Sequence, residues 1–295
     1  MGRGRNHRLQ GGSNEGTHKR ALPSRTVLYT RHGYEDQLQI EMAALQEQFT
    51  LIDNLEDIQA GDRVICRFSL LPFPELLAQE VQARGGSLVH DAEAHSYLAD
   101  MRQWYPHLQG LTPRTWFAIE DVDAPGPYFV KGITNSLKND WQAGYAADFA
   151  DLERVMAVVT RDPLLAQQPL CIRQFVPLRT YGQHPQTGAP ITEEYRCFVA
   201  GGHTLSCGYY FSEQLASLAA QGIIPDPARI PEGFLAEVIE RIGDRADYYA
   251  VDVAQTEDGE WLVIELNDAT MSGLAGNDPQ ELYGKLAECL ASSSK

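Results

Sequence analysis

Tyr248-Tyr-Ala-Val-Asp252-Val-Ala-Gln-Thr-Glu-Asp258-Gly259-Glu-Trp-Leu-Val-Ile-Glu265-Leu-Asn267-Asp268 is two runs rich in β-branched and aromatic residues around an Asp-Gly pair. Asp-Gly is favoured in a two-residue type I′ hairpin turn, where both central residues need positive φ. With those residues as the turn, Glu257 faces Glu260, and counting back along both strands puts Asp252 directly opposite Glu265. Side chains alternate with period two, which sends Val251, Val253, Leu262, Ile264 and Leu266 to one side and Asp252, Glu265 and Asn267 to the other. Carboxylates facing each other across a ladder repel, and acids are depleted within strands, so a positive group is expected between them. Two carboxylates and an amide oxygen form the hard-oxygen set that holds Mg²⁺ against nucleotide phosphates. The alternative is a solvated hairpin face with scattered acids.

Outward from this hairpin, the chain of 295 residues suffices for two domains or one large one, and its 43% apolar content is that of a soluble globule. No window approaches the roughly 18 apolar residues of a membrane span, and the N-terminus carries no apolar signal core. No membrane partner and a cytoplasmic location are expected. The five cysteines, Cys66, Cys171, Cys197, Cys207 and Cys289, are scattered without C-x-x-C spacing. They suggest neither a disulfide framework nor a zinc site, and reduced, mostly buried thiols are expected.

Net charge is −16, of which the first twenty residues carry +4, so the remainder carries −20. Such a body repels polyanions, and no nucleic-acid partner is expected. Residues 1–24 are rich in Gly, Asn and Arg and nearly free of apolar groups, the composition of a disordered basic tail.

Thr26 to Thr30 reads as a first strand, followed by Arg31-His32-Gly33-Tyr34 and a helical pattern from about Glu35 to Gln48. Phe49 to Ile52 and Asp62 to Phe68 read as further strands. Phe73 to Arg84 reads as a helix stopped by Gly85-Gly86, Ser87 to His90 as a strand, and Ala92 to Trp104 as a helix. Alternation of this kind predicts an N-terminal, mostly parallel α/β domain over residues 25–110, with ligands beyond the strands' carboxyl ends. Arg31, His32 and Arg67 then meet at one edge as a candidate anion site; ordinary surface ion pairs are the competing reading.

Leu111 to Thr115 is an extended connector, and the second domain is placed over residues 111–295. Pro127 to Gly132 is a strand delivering Lys131 beside the polar loop Ile133 to Asn139, whose hydroxyl and amide groups, with Lys138, suit phosphate oxygens. Two solvated lysines are the plain alternative. Asp148 to Thr160 is an amphipathic helix, Leu170 to Val176 an apolar strand and Tyr181 to Pro190 a loop. In the strand Glu194 to Val199, Glu194, Arg196 and Phe198 share one face, and Gly201-Gly202 turns the chain into His203 to Phe211. Arg196 is either a cation aimed into a site or a cross-strand partner for a carboxylate. Helices are read over Phe234 to Ile242 and Pro279 to Leu290.

The lysine-ending strand, the Arg173-Gln174-Phe175-Val176 strand, Glu194-x-Arg196-x-Phe198-Val199 with its Gly-Gly turn, and Asp252 followed by Glu265-x-Asn267 together resemble the ATP-grasp superfamily. Within it the chain is most similar to a divergent clade named for two arginines and one lysine, over about Leu111 to Leu290. The usual Gly-rich loop after the first lysine strand is replaced by Ile133 to Asn139.

The resemblance implies an α/β fold of the α+β grasp type: antiparallel sheets in the grasp domain, preceded by a substrate-side domain. It implies ATP held by Lys131, Lys138, Arg173 and Glu194, with the adenine edge bonded by Gln174, Phe175 and Val176. Mg²⁺, with Mn²⁺ as an alternative, would be held by Asp252, Glu265 and Asn267. Arg196 would stabilise the transferring phosphoryl group, and Arg67 and Arg31 would hold the acceptor. The implied activity is a carboxylate-amine ligase working through an acyl-phosphate on small-molecule or peptide substrates, as a monomer or homodimer. A kinase on the same fold and a non-catalytic nucleotide-binding module are the alternatives.

Overall fold

The computed structural model describes residues 25–30, 39–136, 141–163 and 165–292. Strands β1 (Thr26–Tyr29), β2 (Thr50–Ile52), β3 (Arg63–Cys66) and β4 (Ser87–Leu88) form a parallel sheet in the order β2-β1-β3-β4. Both faces of its centre are covered, as expected for parallel strands. Val27 and Val64 pack with Leu77 and Val81 of helix α2 (Pro74–Ala83). Leu28 and Ile65 pack with Ala44 and Leu45 of α1 (Met42–Gln48) and with helix α8 (Pro279–Ser292). The glycine stop after α2 is present, Gly85 taking φ of +82°.

The helical pattern from Ala92 divides into α3 (Ala92–Ala99) and α4 (Met101–Leu108). Asp100 leaves helical geometry (φ −108°, ψ 108°) and its carboxylate accepts from the Arg102 N–H. An acidic side chain that caps the next helix offers the backbone an alternative to continuing the first.

A second sheet holds β5 (Thr115–Trp116), β6 (Tyr128–Gly132), β7 (Tyr145–Ala146) and β8 (Leu170–Gln174), antiparallel in the order β5-β8-β6-β7. One face packs on α5 (Phe149–Val159) through Tyr128, Val130, Ile172, Leu152 and Val155. Phe129, Lys131 and Arg173 alternate to the opposite face. The Tyr181 to Pro190 region, read as a loop, contains most of a small antiparallel hairpin of β9 (Thr180–Gln183) and β10 (Pro190–Thr192). Its glycine and prolines hid the pairing.

The central antiparallel sheet runs β12-β11-β13-β14, with β11 (Glu194–Ala200), β12 (His203–Tyr209), β13 (Tyr248–Gln255) and β14 (Trp261–Asn267). Tyr195, Cys197, Val199, Val251 and Val253 face a core that includes α3, α4 and α7 (Glu232–Ile242); α6 (Leu215–Ala220) adds Leu218. Phe198, Ala200, Tyr248 and Ala250 face the opposite way, towards α8. Arg196 and Asp252 lie on this second face by strand alternation.

Two features of this sheet correct the sequence reading. The β13-β14 loop is three residues long: Gly259 N–H bonds to Thr256 O, Thr256 N–H to Glu260 O, and only Gly259 (φ +90°) is left-handed. This geometry is a type I turn closed by a glycine bulge rather than a type I′ turn. A second irregularity between Asp252 and Val253 inserts Ile264 as an extra residue and restores the expected pairing of Asp252 with Glu265. Between the two shifts the faces are exchanged: Val263 joins Val253 in the core, and Leu262 sits opposite Ala254 on the Asp252 side.

The second correction concerns the cysteines. Gly201-Gly202 turns as read, with φ of +54° and +76°, and a two-residue turn alone would set Cys197 against Ser206. A bulge between Phe198 and Val199 advances the partner by one, so Cys197 faces Cys207 and the two form a disulfide across β11 and β12. Cys66, Cys171 and Cys289 lie outside this disulfide.

Candidate active site

The site lies where the second and central sheets approach each other. Arg196 on β11 stands directly opposite Asp252 on β13. Its Nε and Nη2 each donate to one carboxylate oxygen at 2.7 Å, and Nη1 donates to Gly273 O at 3.1 Å. Burial would lower the Arg196 pKa, but the Asp252 carboxylate outweighs it and raises it. The Tyr210 ring centroid lies 5.1 Å from the guanidinium carbon, a cation–π arrangement. Gly208, opposite Arg196 on β12, leaves room for the Gly276–Asn277 backbone; a Cβ there would come within 2.2 Å of Asn277 N. The loop after β14 therefore lies directly over the Arg196 strand.

Across the gap, Lys131 at the end of β6 donates from Nζ to Glu265 Oε1 at 2.5 Å. Asp252 and Glu265 are paired in register, and Asn267 Nδ2 donates to Asp252 Oδ2 at 3.4 Å. The positive group expected between the facing carboxylates is thus two groups, one from each sheet. Arg173, which alternates to the same face as Lys131, donates from Nη1 to Ile264 O at 2.7 Å and from Nη2 to Thr112 Oγ1 at 2.7 Å. It caps the carbonyl of the bulged residue, and burial lowers its pKa. Glu194 is buried and accepts from Thr192 Oγ1 at 3.0 Å. Burial, then the nearby Asp252 charge, pushes its pKa up to about 8.

The structure separates other expected site residues from this cluster or revises their role. Arg67 presents no open cation: its guanidinium is 9% exposed, forks onto Glu41 (3.2 and 2.7 Å), and donates to Thr270 O and to Ser272 O at 2.9 Å. Glu41 also accepts from Tyr283 Oη. Arg67 therefore anchors the loop after β14 and is not placed to receive a substrate anion. In the expected adenine segment, the N–H groups of Gln174 and Phe175 are bonded to Arg114 O and Pro127 O, and the Gln174 amide donates to Pro125 O and Pro127 O. Phe175 packs edge-on against Tyr145, and Val176 is half-buried. Arg31, His32 and Lys138 lie outside the described residues.

Sequence reasoning missed Asp268, whose Oδ1 accepts from Thr270 N–H at 3.0 Å and whose Oδ2 lies 3.1 Å from Nδ1 of the fully buried His95. It also missed the backbone of the loop that follows, where Ala269 and Ala275 have φ of +58° and +53°. Alanine gives no sequence signal for left-handed geometry.

Among the described residues, no group of three or more His, Cys, Asp or Glu side chains is arranged to hold a metal alone. Two carboxylates and the Asn267 amide instead match the partial oxygen set of a Mg²⁺ that takes its remaining ligands from phosphates and water.

This gap between two antiparallel sheets, crossed by a lysine and lined by opposed carboxylates, defines an ATP-grasp fold. A model of the ATP-grasp domain, the third family of the clade named for two arginines and one lysine, matches residues 114–286, and the chain belongs to that family. Solved structures share the fold at low identity. An ATP-grasp RimK domain protein from Sphaerobacter thermophilus DSM 20745 is 20% identical (TM-score 0.50; 90% of this chain and 98% of that one). The D-alanine–D-alanine ligase from Bacillus anthracis, complexed with ATP, is 14% identical (TM-score 0.57; 92% and 97%). ATP-grasp ligase PsnB, complexed with precursor peptide PsnA2 and AMPPNP, is 12% identical (TM-score 0.55; 95% and 100%). No curated protein sequence matches the chain.

Proposed function

We propose that this protein is an ATP- and Mg²⁺-dependent carboxylate-amine ligase. The observation that carries the reading is the paired arrangement in the gap: Lys131 on Glu265 and Arg196 on Asp252, two cations and two acids from facing sheets. A magnesium-bound triphosphate matches that charge pattern, offering phosphate oxygens to the cations and a divalent ion to the acids. Phosphoryl transfer needs positioning and charge neutralisation more than covalent help. Lys131 would hold the phosphates. Asp252, Glu265 and Asn267 would hold Mg²⁺, which would neutralise phosphate charge, and Arg196 would face the transferring group. Gln174, Phe175 and Val176 would border the adenine, with Arg173 fixing the bulge that sets Glu265 in place.

In the reaction, a carboxylate oxygen attacks the γ-phosphorus, the β–γ bridge breaks and ADP leaves. An amine then attacks the acyl carbon, phosphate leaves, and the amine's proton passes to solvent. The substrates are small-molecule or peptide carboxylates and amines, in line with what the PsnB and D-alanine ligase neighbours bind or join. We place the boundary between the substrate-side and grasp domains near residue 110. The test is mass spectrometry of the purified protein incubated with ATP, Mg²⁺ and pools of amino acids and peptides. A condensed amide formed together with ADP and phosphate supports the ligase. A stable phosphorylated product shows a kinase, and nucleotide binding without turnover shows a binding module.

A further inference from the structure

A cavity of about 310 Å³ opens beside Glu265. Its lining includes the apolar side chains of Leu71, Leu98, Met101, Trp104, Ile133 and Met271. It also includes Glu265, Asn267 and Asp268, at the end of β14 and the start of the loop that follows, together with Asn135 and Ser69. Among the described residues no Lys or Arg side chain lines this space, and Lys131 nearby is engaged by Glu265. A cavity lined by both acids and hydrocarbon is complementary to a cation with an apolar body. With Glu265 engaged by Lys131, Asp268 is the acid an incoming group would meet, and it favours a cation over a carboxylate.

Asp268 is the acid fixed for this task. Its Oδ1 accepts from the Thr270 N–H, and its Oδ2 lies 3.1 Å from His95 Nδ1. His95 is wholly enclosed, and burial lowers its pKa against the opposing effect of Asp268. Asp268 is 12% exposed, enough to reach a ligand while shielded from bulk water. The volume lies at the small end for ligand pockets and suits one amino-acid-sized molecule.

Resting on the ligase reading, we propose that this cavity is the amine subsite, that Asp268 binds the amine's ammonium group, and that the apolar lining selects a co-substrate with a branched or aromatic side chain. The placement puts the nitrogen next to Glu265 and Asn267, where an acyl-phosphate would form.

The test uses the full-length protein saturated with a non-hydrolysable ATP analogue and Mg²⁺, titrated calorimetrically with leucinamide, 4-methylpentanoate and the uncharged 4-methylpentanamide. Leucinamide should bind best. Asp268→Asn keeps the shape and an oxygen for the Thr270 N–H, and should weaken leucinamide about ten- to a hundredfold, the range expected for losing a charged hydrogen bond. Ala99→Leu fills the cavity from the end of α3, and should weaken leucinamide while nucleotide affinity stays unchanged. Absence of saturable leucinamide binding to the wild type overturns the proposal, as does preference for 4-methylpentanoate or a folded Asp268→Asn protein with unaltered leucinamide affinity. A loss confined to Mg²⁺-dependent nucleotide binding makes Asp268 a metal ligand and also overturns it. Because binding is read directly, the subsite stands or falls separately from turnover. Leucinamide binding that depends on Asp268, with no amide formed from any pool, would sink the ligase reading alone.

Discussion

Arg196 and Asp252 face each other across β11 and β13 and share two hydrogen bonds of 2.7 Å, with only 8% and 1% of their surfaces exposed. The pair ties the stability of the central sheet to the groups assigned to the nucleotide.

Asp252→Asn and Glu265→Gln are both expected to abolish Mg²⁺-dependent turnover, but they should differ in stability. Neutralising Asp252 leaves a buried guanidinium without its counter-charge, a change that costs about 3 to 5 kcal/mol. The Glu265 side chain is 23% exposed, so its loss should cost distinctly less. Urea denaturation of both variants checks the ranking. Equal stability losses would mean that the Arg196 pair is not the stronger structural tie.

Lys131→Ala should weaken ATP far more than adenosine. A hydrogen bond to a charged group contributes roughly 1.5 to 3 kcal/mol, or about ten- to 150-fold in affinity. Calorimetric titration with both ligands measures it, and parallel losses would assign Lys131 to packing.

How much of this was legible follows from which interactions are local. Strand alternation placed Asp252, Glu265 and Asn267 on one face because that face depends only on residues within one hairpin; that Arg196 joins them depends on β11 pairing with β13, which no local signal gives. The register survived for a less secure reason: the three-residue turn shifted it by one and the Ile264 bulge shifted it back. Bulges leave no firm sequence mark, which is also why the Cys197–Cys207 contact was not foreseen. Contacts between sheets were out of reach. Neither the pairing of the Lys131 and Arg173 strands nor the fact that one side chain would find Glu265 and the other a backbone carbonyl could be read from local pattern. Arg67 was correctly put at a strand end, yet its direction is set by Glu41, which lies 26 positions away.

That correction carries its own prediction. Arg67→Met leaves the Glu41 carboxylate buried and frees the carbonyls of Thr270 and Ser272, so it should lower stability by about 3 to 5 kcal/mol. Nucleotide affinity in the surviving folded protein should change little. Adding Glu41→Gln should recover part of the loss, since the two residues form one network. Thermal melts of the single and double variants decide this; strictly additive losses would contradict a coupled pair.

Glu194 makes a pH-dependent prediction. Its pKa is raised from 4.5 to about 8 in the fold, so the folded state holds a proton that the unfolded chain releases. Its stabilising contribution is complete below about pH 4.5 and is lost progressively up to about pH 8, by an amount on the order of a few kcal/mol. Glu194→Gln removes this dependence and should therefore stabilise the protein at pH 8 relative to wild type, with the difference shrinking towards pH 4.5. Unfolding free energies across that range would show it. A variant less stable than wild type at pH 8 would mean that Glu194 is ionised and paired.

The most direct test of the central claim follows oxygen. Once a carboxylate substrate is found from the pools, it is labelled with ¹⁸O and turned over with ATP, Mg²⁺ and the amine. An acyl-phosphate route predicts one labelled oxygen in the released inorganic phosphate, formed in step with ADP and the amide. Amide production with unlabelled phosphate, or label retained in a stable phosphorylated product, would contradict the account.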